Sequence, residues 1–280
     1  MIISKLNAYI TLVRPVNCII TFVVVIVGAL ICSVAEYSKY VVFLVAASAA
    51  LTAAGGNIIN DIYDVESDKI NHPERPLAKR IISIKNGWIA YLLLTVLAIL
   101  MSSFINLVAT TIVVLTSILL YLYSVRLKKI PLLGNVTVAY LTGLTFIYGG
   151  VAVGNVADAF IPAIFAFLIN LIREILKDIE DIEGDKNVRL TTFPIKFGTT
   201  ITLRLISLLT IVLIVITFYP FVNQIYKIEY FVIVMLLVNP LLVYFIKLLY
   251  SDVNHKNLNK LSNMLKLNMV FGLLAIYLGK

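Results

Sequence analysis

Nine stretches of the chain, each 16 to 23 residues long, are almost purely apolar, and they lie near residues 16–34, 40–60, 87–106, 108–124, 131–153, 157–175, 200–220, 229–250 and 264–279. About 20 apolar residues in helical form cross a bilayer core of ~30 Å, and in lipid the backbone must satisfy its own hydrogen bonds. A 280-residue chain that is 61% hydrophobic and only 14% charged therefore reads as an all-α polytopic membrane protein. Lys5 and Arg14 precede the first stretch, which is full length and lacks a small-residue cleavage site, so it reads as a span and not a signal peptide. Cys18 and Cys32 share that first span and lie too far apart along it to pair.

The net charge of +8 is sorted by loop: twenty of the 23 Lys and Arg residues, Arg189 and Lys256 among them, fall on one side of a nine-span topology. Lys39, Lys227 and Lys280 fall on the other. Positive charge stays cytoplasmic, which places the N-terminus inside and the C-terminus outside in a multi-pass cell-membrane protein. Such sorting points to a lipid bilayer as partner, not to a nucleic acid, and implies no obligate protein partner. Twelve of the 15 acidic residues share the basic side, where the connections after spans 2 and 6 are long. Long connections of this kind are usually functional, so the working face is expected to be cytoplasmic.

Two acidic runs stand at the ends of spans 2 and 6. Asn60-Asp61-Ile62-Tyr63-Asp64-Val65-Glu66-Ser67-Asp68-Lys69 is matched by Asp178-Ile179-Glu180-Asp181-Ile182-Glu183-Gly184-Asp185-Lys186, and the three Asp pairs share an offset of 117 residues. Four spans separate the runs. This predicts a parallel repeat of units about 1–124 and 125–250, with span 9 (264–279) appended, in a single membrane domain covering 1–280 around a central cavity. The spacing i, i+3, i+7 puts each trio on one stripe of a helix. Three stacked carboxylates near a helix C-terminus, where the macrodipole disfavours negative charge, call for a cation. Oxygen ligands without His or Cys suit Mg²⁺, which is often completed by phosphate oxygens. Asn60 adds an amide carbonyl one turn before Asp64. His72 and His255 are the only histidines, no Walker-type phosphate loop occurs, and the spacing does not fit an EF-hand.

These residues also carry a resemblance. Ala54-Gly55-Gly56-Asn57 through Asn60-Asp61-x₂-Asp64-x₃-Asp68-Lys69, followed by Pro73-Glu74-Arg75-Pro76-Leu77, resembles the first signature of the UbiA superfamily of membrane prenyltransferases. Arg173-Glu174-x₂-Lys177-Asp178-x₂-Asp181-x₂-Gly184-Asp185-Lys186, with Thr192-Phe193-Pro194 and Gly198, resembles the second. Tyr123-Ser124-x-Arg126-Leu127-Lys128 is similar to the basic motif between them.

The resemblance implies a Mg²⁺-dependent enzyme that ionises a polyprenyl diphosphate. It implies catalytic and metal roles for Asn60, Asp64, Asp68, Asp181 and Asp185, with Asp61 and Asp178 as further ligands or as groups that orient them. Lys128, Arg75, Arg173 and Lys177 are expected to bind diphosphate oxygens. Tyr123, Tyr121, Tyr140, Phe146, Tyr148, Phe165 and Phe167 are candidates to face an allylic cation. Arg14, Asn17 and Asn57 are candidates for substrate contact, balanced by an interfacial anchor and helix start for Arg14 and Asn17 and by pairing with a neighbouring helix for Asn57. The middle motif departs from Tyr-Pro-x-x-Lys-Arg of hydroxybenzoate-type members. The compact second run is most similar to the archaeal branch, which implies geranylgeranyl diphosphate as donor and the hydroxyl of geranylgeranylglyceryl phosphate, a lipid glycerophosphate, as acceptor. An aromatic acceptor stays open, as does a cation-coupled transporter, whose carboxylates would lie near the bilayer midplane.

Overall fold

A computed structural model describes residues 2–33, 36–187, 190–251 and 255–280; Arg189 lies outside the described residues. Among these the chain is helical throughout, and nine stretches are long and apolar enough to cross a membrane. The helices are α1 (Ile2–Val13), α2 (Pro15–Cys32), α3 (Lys39–Asn71), α4 (Ile84–Ser103), α5 (Leu107–Val125), α6 (Leu133–Ala152) and α7 (Phe160–Glu180). The short α8 (Ile182–Asn187) and α9 (Phe193–Phe197) follow, then α10 (Thr199–Val222), α11 (Ile228–Ile233), α12 (Asn239–Leu249) and α13 (His255–Gly279). Ser38, Ser83 and Asn106 cap α3, α4 and α5 by accepting from the backbone N–H three residues on, which satisfies donors that a helix start leaves unpaired.

Two compact units emerge, residues 1–128 with 144–159, and residues 129–143 with 160–280. Helix α6 runs through both sets, contributing residues up to Gly143 to the second unit and from Leu144 to the first.

The first unit is built on α3, which packs against α1, α2, α4 and α5. One apolar cluster gathers Val25, Val45, Ala46, Ala98, Ala109, Val113, Tyr148 and Val151. A second gathers Ala8, Leu12, Ile58, Val65, Leu77 and Ile82, so that α1 and the segment after α3 are both fastened to the acidic end of α3. Gly149 lets α6 reach α2: a Cβ there would lie 2.4 Å from the Val25 carbonyl oxygen and 2.7 Å from the Ala29 nitrogen. Leu92, Leu93, Val96, Leu97 and Leu100 on α4 are exposed, the apolar surface that lipid requires.

At 33 residues, α3 is about 50 Å long at ~1.5 Å per residue, well beyond a ~30 Å core. Its span was expected to end near 60. The helix instead carries the whole acidic run and stops at His72, before Pro73. Charge ends the hydropathic stretch without ending the helix, because Asp and Glu side chains that find partners are tolerated in one.

In the second unit α7 packs against α10 and α13, and α11 against α13. Pro220 was expected to end its span, but α10 runs on to Val222 with the proline inside, as membrane helices allow. Pro240 was expected to disturb span 8, and a π-helical turn, Val234–Val238, separates α11 from α12 just before it. Asn268 on α13 donates to the Val238 carbonyl at 2.8 Å, which ties that turn to its neighbour. Leu132, left-handed at φ 67°, separates Pro131 from α6, which opens two residues later than the proline. Gly198, at φ 83° between α9 and α10, occupies a conformation that favours glycine.

Candidate functional site

The first acidic run occupies the last three turns of α3, and its side chains are engaged one by one by basic groups from three other segments. Asp61, 2% exposed, accepts from Arg14 at the α1–α2 junction and lies 3.5 Å from Arg75 Nη1. Arg75, in the segment after α3, donates from Nη1 to both carboxylate oxygens of Asp68 at 2.7 and 2.8 Å. Lys128, in the short 3₁₀ turn Leu127–Lys129 after α5, donates to Asp64 and reaches Asn60 Oδ1 at 3.4 Å. Asn60 in turn donates to Asp64 Oδ2 at 2.8 Å. Three carboxylates thus meet three cations, which removes the repulsion that the stripe would otherwise suffer.

Several of the residues expected to contact substrate have partners within the first unit. Arg14, Arg75 and Lys128 are held by carboxylates of the same unit. Asn57 donates to the Val13 carbonyl at 2.9 Å and joins α3 to the end of α1. Asn17 is exposed on the first turn of α2, and Tyr123 is half-buried on α5. Tyr121 is exposed, with its hydroxyl 3.3 Å from that of Tyr63, and Trp88 packs edge-on against both Tyr63 and Tyr91. Phe146 and Tyr148 are each 3% exposed, and Tyr148 bonds Ser48 at 2.7 Å; both are core residues. Tyr140 is exposed, and Phe165 and Phe167 are half-buried.

The second run was expected on one helix. The structure ends α7 at Glu180, places Asp181 in a turn and Asp185 on α8. Helical backbone bonds bridge that turn, from the Asp181 N–H to the Lys177 carbonyl and from the Asp185 N–H to the Asp181 carbonyl, both 2.9 Å. Asn135, near the start of α6, donates to Asp178 Oδ2 at 2.9 Å. Arg173 Nη1 donates to Glu174 at 2.9 Å, and Lys177 lies 3.9 Å from the same carboxylate. No basic side chain among the described residues forms an ion pair with Asp178, Asp181 or Asp185. Burial, and the neighbouring Asp181 charge, push Asp185 up to about 6.

Sequence reasoning missed Asn135 and Glu174. Asn135 was open to detection, since a lone amide inside an apolar span is expected to find a partner. Glu174 stands inside the quoted motif, where its closeness to Arg173 and Lys177 in sequence gave the signal.

Donor chemistry tests the fit to a divalent cation. Asp and Asn oxygens, free of His and Cys, suit a hard ion such as Mg²⁺. No three His, Cys, Asp or Glu side chains converge on one point among the described residues; in the first set, ammonium and guanidinium groups stand between the carboxylates. Arg173 Nε and Thr192 Oγ1, both in the second signature, are buried without a hydrogen-bond partner. A buried unpaired donor is costly, and a guanidinium N–H is suited to an anionic oxygen.

A model of the UbiA prenyltransferase family matches residues 21–270. The chain is 34% identical to digeranylgeranylglyceryl phosphate synthase of Methanosphaera stadtmanae, over 98% of this chain and 99% of that one. It is 37% identical to the enzyme of that name from Methanopyrus kandleri, over 96% and 98%. A solved structure of a digeranylgeranylglyceryl phosphate synthase aligns with TM-score 0.81 and 35% identity, covering 99% of this chain and 98% of that one. A UbiA homolog from Archaeoglobus fulgidus, bound to GPP and Mg²⁺, shares the fold at TM-score 0.70 and 20% identity, over 96% and 99%.

Proposed function

The chain belongs to the UbiA prenyltransferase family, and from that premise we propose that it is a Mg²⁺-dependent membrane prenyltransferase acting in archaeal ether-lipid synthesis. It moves the geranylgeranyl group from its diphosphate to the free hydroxyl of geranylgeranylglyceryl phosphate. The C1–O bond to diphosphate breaks, an ether C1–O bond to the acceptor forms, and the hydroxyl proton leaves with the diphosphate. The observation that carries the reading is the pair of carboxylate sets on the two family signatures, in a chain that matches enzymes of this one name over nearly its full length.

Asn60, Asp64 and Asp68 of the first unit and Asp181 and Asp185 of the second would hold Mg²⁺, and Asn135 holds Asp178 in the second. A cation held there would supply Lewis-acid stabilisation of the departing diphosphate. Lys128 and Arg173 bind diphosphate oxygens; Lys177 adds charge, and the unpaired Nε of Arg173 supports its part. Apolar spans keep water from the allylic cation. The strong sorting of Lys and Arg supports an N-terminus and catalytic face in the cytoplasm and a C-terminus outside.

Full-length protein, labelled geranylgeranyl diphosphate and two acceptors test this. An ether lipid is expected with geranylgeranylglyceryl phosphate; a prenylated ring with hydroxybenzoate alone would overturn the acceptor. Asp64→Asn and Asp181→Asn should each abolish turnover in folded protein, and near-normal activity in either would refute the two-set reading.

A further inference from the structure

Helix α1 and the residue that ends it form a feature that the function above does not use. Ala8 and Leu12 of α1 are buried against Ile58 and Val65 of α3 and against Leu77 and Ile82 after it. The Val13 carbonyl accepts from Asn57 at 2.9 Å and from the Cys18 thiol at 3.1 Å. Arg14 then takes a left-handed conformation, φ 53° and ψ 70°, directly before Pro15. Left-handed backbone is unfavourable for a residue with a Cβ, and the position before proline is restricted further. Arg14 nevertheless uses its backbone on both sides, its N–H bonding Thr11 and its carbonyl accepting from Asn17 and Cys18.

The turn aims the guanidinium at Asp61, whose side chain is 3% exposed while that of Arg14 is 31% exposed. Strain held in place by surrounding contacts is a reason to look for a role. Asp61 is also 3.5 Å from Arg75, which grips Asp68, so Arg14, Asp61, Arg75 and Asp68 form one chain of charges. Two cations on a single buried carboxylate leave it no charge for a metal. Asn60 and Asp64, which lie beside it and carry only Lys128 between them, keep more.

We propose that Arg14 is a positioning residue and Asp61 its anchor, not a metal ligand: docking of α1 holds Asp61 out of the coordination sphere and leaves Asn60 and Asp64 to bind. The proposal rests on the Mg²⁺-dependent reading above, and the experiment separates the two. Full-length wild type, Arg14→Ala, Arg14→Lys, Asp61→Asn, Asp64→Asn and the double variant Arg14→Ala/Asp61→Asn are titrated with Mn²⁺ in detergent, with inorganic diphosphate present, and binding is read by electron paramagnetic resonance. kcat and KM for geranylgeranyl diphosphate are measured in parallel.

Asp61→Asn should keep Mn²⁺ affinity within about twofold, whereas Asp64→Asn weakens it by at least about tenfold, the range of coupling expected between touching groups. Arg14→Ala should tighten Mn²⁺ binding, because a buried carboxylate that has lost its cation seeks another, and the double variant should return to the Asp61→Asn value. The kcat of Arg14→Ala should fall about tenfold with KM little changed, and Arg14→Lys should recover most of the loss. Loss of Mn²⁺ binding in Asp61→Asn would overturn the proposal. So would a raised KM with unchanged kcat in Arg14→Ala, or losses in the double variant that multiply those of the singles. If Arg14→Ala does not fold, Asp61→Asn decides the question alone. Wild type that binds Mn²⁺ yet releases no diphosphate would refute prenyl transfer, leaving the Arg14–Asp61 assignment to the binding data.

Discussion

Lys128 neutralises Asp64 and, under the proposed function, draws charge from the leaving diphosphate; Lys128→Met removes both while keeping an apolar stem of similar length. The side chains of Lys128 and Asp64 are 11% and 22% exposed. Removing one partner of a fully buried pair costs ~3–5 kcal/mol, and a solvent-exposed pair is worth ~0–1 kcal/mol. Asp64 keeps the 2.8 Å bond from Asn60 and about a fifth of its surface in water, so a cost of about 2 kcal/mol is expected. In a chain of this size that is a fall of roughly 5 °C in melting temperature. Added MgCl₂ should recover more stability in the variant than in the wild type, since Asp64 then lacks its own cation. Turnover should fall about 10²–10³-fold, the usual loss for one donor to developing negative charge. Lys128→Arg should restore stability and only part of the rate, because a planar fork replaces a point charge. Diphosphate release and thermal unfolding in detergent, each with and without MgCl₂, read these effects. A kcat within twofold of wild type would refute the leaving-group role, and an unchanged melting temperature would refute the charge-pairing argument.

Asn135→Ala should lower kcat about 10–100-fold, as loss of a group that orients a metal-bound carboxylate does, with stability nearly kept; steady-state kinetics beside a thermal melt will show whether that split holds. Gly149→Ala would place a Cβ 2.4 Å from the Val25 carbonyl oxygen, inside any tolerated contact, so α2 and α6 must part and stability should drop by at least ~1–3 kcal/mol, read as a lower melting temperature. With Cys18 and Cys32 replaced, an impermeant maleimide should label Glu36→Cys from outside intact cells and Lys79→Cys only after permeabilisation; the reverse pattern would invert the orientation.

Hydropathy made the spans legible because it is a bulk property of 20 residues, indifferent to local detail. It misplaced the end of α3, since it records where a chain leaves the bilayer, and helix ends are decided by caps and prolines, here His72 and Pro73. The i, i+3, i+7 stripe was legible for the first run and interrupted at Asp181 in the second, where spacing alone does not reveal a turn. Counting Lys and Arg predicts an orientation but does not say which carboxylate each would meet. Arg75 lies 7 and 14 residues from Asp68 and Asp61, Arg14 lies 47 from Asp61, and Lys128 lies 64 from Asp64. Those pairings depend on a left-handed turn, a docked loop and a 3₁₀ turn, features set by packing and not by local pattern.

The 117-residue repetition reaches the acids and Lys69/Lys186 but stops short of the bases that pair with Asp61, Asp64 and Asp68. Carried forward by the same offset, Arg14 falls on Pro131, Arg75 on Thr192 and Lys128 on Phe245. Phe245 is 1% exposed in the core, and the hydroxyl of Thr192 is buried without a partner, at the position whose first-half counterpart grips Asp68. Asp61 has Arg14 and Arg75; its counterpart Asp178 has the neutral amide of Asn135. Identical spacing therefore serves two electrostatic states. One set is closed by the protein's own cations, which must yield or be outbid before a divalent ion can bind. In the other, among the described residues, Asp178, Asp181 and Asp185 lack ion-pair partners, and burial, with the charge of Asp181 beside it, raises Asp185 to about 6. A divalent cation would suit such a set, because one ion neutralises two carboxylates at once and still offers positions to phosphate oxygens.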